Sequence, residues 1–264
     1  MMDILLQKLN IPESCLIDKP VFKKLFLENA ELNATDKKAL KEDVDKVRWL
    51  YTLKPGTINI PKYTDDEREY LEIAILHVEL SNTSRIKRIA EFIHKAIPYP
   101  LILLFSHASD VCMSLTDKRI NRADKSKWVV EDGWLTDCFN PELPDELQSK
   151  FLEDIEIPKQ DFSNLYVFYQ GMKQCLIALH AARKTGKYQL TPDGGASIQD
   201  RALAVRAIEK HEAEIKELKN KLKNEKNMGK QVELNTHIKQ ITDRISLIKT
   251  AKVPSLPYWH SLGK

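Results

Sequence analysis

Glycine is scarce in this chain, with 8 in 264 residues. So few positions without a side chain argue against an all-β fold built on many tight turns, and favour helices. Long apolar runs are missing too: none approaches the roughly 20 residues that cross a bilayer, and the opening MMDILLQKLN lacks the apolar core of an export signal. The four cysteines, Cys15, Cys112, Cys138 and Cys175, are far apart and form no CxxC pair. That spacing speaks against a secreted disulfide framework or a zinc ligand set, and reads as reduced thiols in a cytoplasmic protein. Neither GxxxxGKS/T, GxGxxG nor GxSxG occurs, so no phosphate-cradling loop or nucleophile elbow is written here. The histidines are scattered without an HxxxH or a Cys/His cluster; no metal, cofactor or catalytic residue is expected. An excess of one charge is also absent. Lys and Arg number 41 against 38 Asp and Glu, a net +3 that excludes a histone-like polycation but not a local basic patch.

What is present is hydrophobic patterning of two kinds. Met2–Leu9 is a short amphipathic helix, Lys19–Phe26 a second, and Thr35 caps a third that carries Leu40, Val44, Val47 and Leu50 at helical spacing, with Trp49 and Tyr51 at its end. Lys54-Pro55-Gly56 stops it, and Thr57–Ile60 reads as a short strand. Tyr70–Leu80 is nearly continuous in apolar residues, as a strand buried on both faces would be. A basic amphipathic helix follows to Ala96, ended by Ile97-Pro98-Tyr99-Pro100. Leu101–Phe105 and Val111–Leu115 form a hairpin around His107–Asp110, and Lys127–Val130 adds another strand. The order β-α-β-β implies an α+β fold: a small, mainly antiparallel sheet with helices on one face. Phe162–Thr185 then carries Leu165, Phe168, Tyr169, Met172, Leu176 and Leu179 on one helical face. From Ser197 to Ala251 apolar residues recur at alternating spacings of three and four, with a break at Lys223–Lys230, the pattern of an antiparallel helical hairpin of coiled-coil type. The expected organisation is a globular domain at 1–140, a connecting helical segment at 141–196 with a Gly/Pro hinge near 191–196, the hairpin at 197–252 and an extended tail at 253–264.

Two surfaces are candidates for function. Lys118, Arg119, Arg122, Lys125 and Lys127 crowd ten positions after a strand, with the Asn121 amide among them, and such a loop holds phosphates by charge. Asp117 and Asp124 offer those cations internal partners. The hairpin seam, through Ile215, Leu218, Leu222, Ile238, Ile241 and Ile245, suits a partner helix, and Ser197–Lys252 holds 13 Lys and Arg against 8 Asp and Glu. His211 falls on the same seam. Trp128 and Trp134 beside apolar strands read as core. Glu72, His77 and Glu79 on one strand invite a metal-dependent nuclease, but such a site needs an acidic-x-Lys triplet, and Glu79 is followed by Leu80-Ser81.

Several stretches together resemble one family: Ile17-Asp18-Lys19-Pro20 with Lys23-Lys24-Leu25-Phe26; Leu32–Lys38; Val47–Pro61, which contains WLYTLKPGTINIP; IPYPLILLF with Lys118-Arg119-Ile120-Asn121; and Glu225-Lys226-Asn227 with Val232-Glu233-Leu234-Asn235. The chain is similar to a bacterial and archaeal family of unknown function, often encoded beside DNA methyltransferases and helicase-type restriction subunits in phage-defence loci. The resemblance implies an accessory protein of a DNA-modifying or restricting system, with a helicase or methyltransferase as partner and DNA as a second ligand. It supplies no catalytic residues. A divergent nuclease and a structural adaptor without nucleic-acid contact are the alternatives.

Overall fold

The computed structural model describes residues 1–29, 31–124, 128–131, 133–191 and 197–250, and these divide between two units, Met1–Leu176 and Ile177–Lys264. The first unit opens with α1 (Met2–Leu9), β1 (Leu16–Pro20) and α2 (Lys23–Asn29). Asn33 then caps α3 (Ala34–Glu42): its Oδ1 accepts the Asp36 N–H at 3.0 Å, and Asp36 returns the bond to the Asn33 N–H.

Beyond α3 the structure departs from the helical reading. The chain turns at Asp43, and β2 runs over Val44–Leu53. Two irregularities in its pairing with β5 (Ile73–Leu80), between Val44 and Lys46 and between Trp49 and Tyr51, explain the misreading. Each bulge inserts one residue and shifts the alternation, so the inward positions Val44, Val47 and Leu50 fall three apart and imitate a helix. The β-branched and aromatic run VRWLYT favours the strand. Likewise Thr57–Ile60 is no strand. Pro55 opens the single turn α4 (Pro55–Ile58), which Asn59 ends in the left-handed conformation at φ 57°.

The predicted β-α-β-β core is observed as β5, α5 (Ile86–Ala96), β6 (Leu101–His107) and β7 (Asp110–Leu115). The sheet order is β1-β2-β5-β6-β7-β10, with β10 at Trp134–Leu135; only β5 and β6 run parallel, joined across α5. Ile89, Ala90, Phe92 and Ile93 of α5 pack with Leu40 of α3 against Ala74, Leu76, Val78, Leu101, Leu103 and Phe105. Each such burial contributes roughly 1.5–3 kcal/mol. Ile73 and Ile75, on the other face of β5, are equally buried. Two small ladders flank the sheet: β3 (Tyr63–Thr64) with β4 (Glu69–Tyr70), and β8 (Lys118–Ile120) with β9 (Trp128–Val130).

Two further helices complete the unit, α6 (Glu146–Asp154), with an Asp145–Gln148 capping box, and the first part of α7 (Leu165–Thr185). The buried Tyr169 hydroxyl of α7 accepts the Thr116 N–H at 3.0 Å and lies 2.8 Å from Leu101 O. All six residues expected on the apolar face of α7 are buried.

The second unit contains α8 (Ile198–Asn224) and α9 (Met228–Thr250), antiparallel and joined by a short turn. Ser197 caps α8 through a reciprocal pair with Asp200. Most of the expected hinge and the whole tail at 253–264 lie outside the described residues. No helix among the described residues is long and apolar enough to cross a membrane.

Candidate functional site

The basic stretch after β7 is divided by the pleat of β8. Lys118 turns inward and is 1% exposed. Its Nζ donates to Ile97 O and Tyr99 O, both at 2.6 Å, where α5 ends. Those carbonyls belong to the extended C-cap residue of α5 and to the link that leads into β6, where no helix or strand partner takes them. Burial pushes the amine down to about 7, and its hydrogens are taken by those two carbonyls. Beside it His94 is buried, with Nε2 3.2 Å from Ser114 Oγ and Nδ1 without a partner. Burial, reinforced by the Lys118 charge, pushes His94 well down, so its imidazole is neutral. Lys118 therefore fastens the α5–β6 link from the interior, and its buried amine is out of reach of a phosphate at the surface.

The remaining rim stays at the surface, but its charges are paired. Arg119 Nε lies 3.2 Å from Glu131, and Arg122, 79% exposed, pairs with Glu67. That guanidinium holds the Glu67 carboxyl below its usual range. Asn121 Oδ1 accepts the N–H groups of Ala123 and Asp124 at 2.8 and 3.4 Å, so the amide organises its own turn. Lys125 and Lys127 lie outside the described residues.

A tyrosine-lined cluster next to this rim was not legible in the sequence. Tyr63 stacks on Tyr166 at 4.9 Å, and Arg68 lies over the same ring at 5.5 Å. Asp117 accepts a 2.6 Å bond from Gln170 and pairs with Lys173, while Tyr70 Oη is 3.4 Å away. Burial pushes the Tyr70 phenol far up, so it stays protonated. Acidic partners of Arg68, Arg119 and Arg122 (Asp65, Glu67 and Glu131) leave the patch without a net positive field.

The acids of β5 do not converge. Glu72 precedes the strand and Glu79 lies near its end, roughly 23 Å apart at about 3.3 Å per residue. Glu79 faces Lys46 at 3.4 Å, and His77 Nε2 is 2.7 Å from Ser106 Oγ. Burial pushes His77 down, so it is a neutral, hydrogen-bonded histidine. Among the described residues no group of three or more His, Cys, Asp or Glu is arranged to hold a metal.

The hairpin seam corrects the second expectation. Leu218, Ile241 and Ile245 are buried against Ile208, with Ile215, Leu234, Ile238 and Ile248 packed around them. Leu222 is half-buried. The matching seams of α8 and α9 cover each other, so these residues are the core of the hairpin rather than a free apolar stripe.

Exposed apolar side chains occur away from the seam, singly on the hairpin (Leu203, Met228, Val232 and Leu247 among them) and more closely spaced in sequence near β1. Leu16 and Ile17 lie on β1, Phe22 in the link to α2 and Leu27 on α2, with Phe22 68% exposed. Every residue of β1 is exposed, and β1 ends the sheet. Asp18 is left-handed at φ 49° and pairs with Arg48. The family pattern in Ile17–Phe26 marks this stretch, but its exposure depends on β1 being an edge strand.

Residues 9–245 match the model of a family described as a domain of unknown function (DUF4391). No curated protein and no solved structure matches the chain.

Proposed function

As the chain belongs to this family, whose description assigns no activity, we propose from its surface that it is a non-catalytic accessory subunit that holds a partner protein along the β1–α2 edge of its sheet. The observation that carries this reading is the concentration of Leu16, Ile17, Phe22 and Leu27, all exposed, on a terminal strand, the link after it and the helix that follows. Single exposed apolar residues are ordinary, but several on one sheet edge suit a contact surface. The occupant that fits is an extended apolar segment of another protein, added beside β1 through backbone hydrogen bonds. Lys19 and Lys24 favour acidic flanks on that segment. Left-handed Asp18 and Pro20 interrupt the edge and discourage indiscriminate pairing between copies.

The resemblance to proteins encoded beside DNA methyltransferases and restriction helicases supports such a subunit of a restriction-modification or phage-defence system as the partner. Purification of the tagged full chain from its native cell tests this. A helicase or methyltransferase should co-purify, and Phe22→Glu/Leu27→Glu should lose it with an unchanged far-UV circular dichroism spectrum. Absence of both partners, or their retention by the double variant, overturns the proposal. Salt-dependent DNA retention that Arg119→Glu/Arg122→Glu abolishes would make the rim a DNA contact, against the pairing of both arginines.

A further inference from the structure

Cys112 and Cys138, separated by 26 positions, meet at the other end of the sheet. Val111 and Phe139 exchange both backbone bonds, Val111 N to Phe139 O at 2.8 Å and Phe139 N to Val111 O at 3.0 Å. In antiparallel register the next pair inward is Cys112 with Cys138, at a position without backbone bonds, where facing side chains approach most closely. Their sulfurs are 3.2 Å apart. Cys112 is 2% exposed, whereas Cys138 is open to solvent. The segment is held on its far side as well: Thr136 N donates to Met113 O at 2.9 Å, and Met113 N to Thr136 Oγ1 at 3.0 Å.

We propose that Cys112 and Cys138 are a redox-responsive modification site, a dithiol that closes to a disulfide and fastens the segment after β10 to β7. The two thiols are unequal. Contact with Cys112 holds Cys138 below the usual thiol range, while the same contact and burial push Cys112 up. The outer sulfur is thus the nucleophile and the inner one resolves. A hydroperoxide is the oxidant. The Cys138 thiolate attacks one peroxide oxygen, the O–O bond breaks, and a sulfenic acid forms with release of water or an alcohol. The Cys112 sulfur then attacks the Cys138 sulfur and displaces hydroxide, which leaves as water with the Cys112 proton. Two electrons pass from the sulfurs to the peroxide, and a thiol reductant reverses the change. Cys15 and Cys175 are both buried.

Reduced full-length protein treated with hydrogen peroxide, alkylated and mapped by mass spectrometry without reductant tests the assignment. The chain should lose two thiols and two hydrogens, link the peptides of Cys112 and Cys138, and regain both thiols with dithiothreitol. Closure should be about tenfold or more faster than in urea-unfolded chain, because the fold holds the sulfurs together. In Cys112→Ser protein, Cys138 should stop as a sulfenic acid that dimedone captures. Cys138 oxidised or joined to another chain while wild-type Cys112 stays a free thiol overturns the proposal. So does a link that forms no faster in the folded chain than in urea.

Discussion

The sheet unit and the hairpin bury the same kinds of side chain by different means. Leu101 through Phe105 are fully enclosed, with α3, α5, β2 and β5 all contributing to the cover. In the hairpin, Leu218 and Ile245 remain 7% and 8% exposed, and Ile215 and Ile238 are only half-buried. Two helices enclose some seam residues, such as Ile208 and Ile241, and leave others partly open, whereas the layered sheet encloses the whole run. A layered core also encloses polar groups and must satisfy them, as the two carbonyls do for Lys118. Among the described hairpin residues the fully buried ones are apolar, and the polar atoms shielded from solvent include His211 Nδ1 and Arg206 Nε. Apolar residues at helical spacing are therefore not by themselves a docking stripe, and a lysine in a basic run is not by itself a surface charge.

Lys118→Glu should break this contrast most severely. A carboxylate against two buried carbonyls costs about 3–5 kcal/mol or more, which should abolish cooperative urea unfolding of the sheet unit, while Lys118→Met should fold. A glutamate variant as stable as the parent would return Lys118 to the rim. Next in size, Phe105→Ala should cost about 3–5 kcal/mol and Ile245→Ala about 2 kcal/mol, Ile245 being the less enclosed site at 8% exposure. Equal losses in urea unfolding would remove the distinction between layered core and seam.

A pH series sharpens the same point. The Lys118 amine, at about 7 when folded against 10.5 ordinarily, loses its proton in the folded state first. Between those values the unfolded chain binds the extra proton, so stability should rise with pH across that window. His94, neutral when folded, should add a loss below its ordinary value of 6.5. Urea midpoints that show the same slope above neutral pH in Lys118→Met protein would reject this origin. The smallest effect is expected at the β6–β7 turn, where Ala108 is left-handed at φ 51°. Ala108→Gly should stabilise by roughly 1 kcal/mol, read as a rise in thermal midpoint.

Much of the fold was legible because its signals are local. Apolar continuity marked β5 and β6, Pro98 and Pro100 marked the end of α5, and the seam pattern marked α8 and α9. The failures have particular causes. In β2 two bulges turned a period of two into a spacing of three. At Lys118 the pleat of a three-residue strand selected the inward face, and nothing within those three residues states which face is inward. At the hairpin, the pattern that identified the helices also looked like a free docking stripe, because spacing says nothing about which surface covers it.

Composition and periodicity thus determined an α+β protein with a helical hairpin, since these act within a few residues of the chain. Only the tertiary structure decided which groups are free. Sheet order left β1 and its apolar side chains at an edge, the end of α5 took Lys118 from the surface, and strand register brought Cys112 to Cys138. Each outcome depends on segments far apart in sequence, whose meeting is fixed by the packing of the whole core.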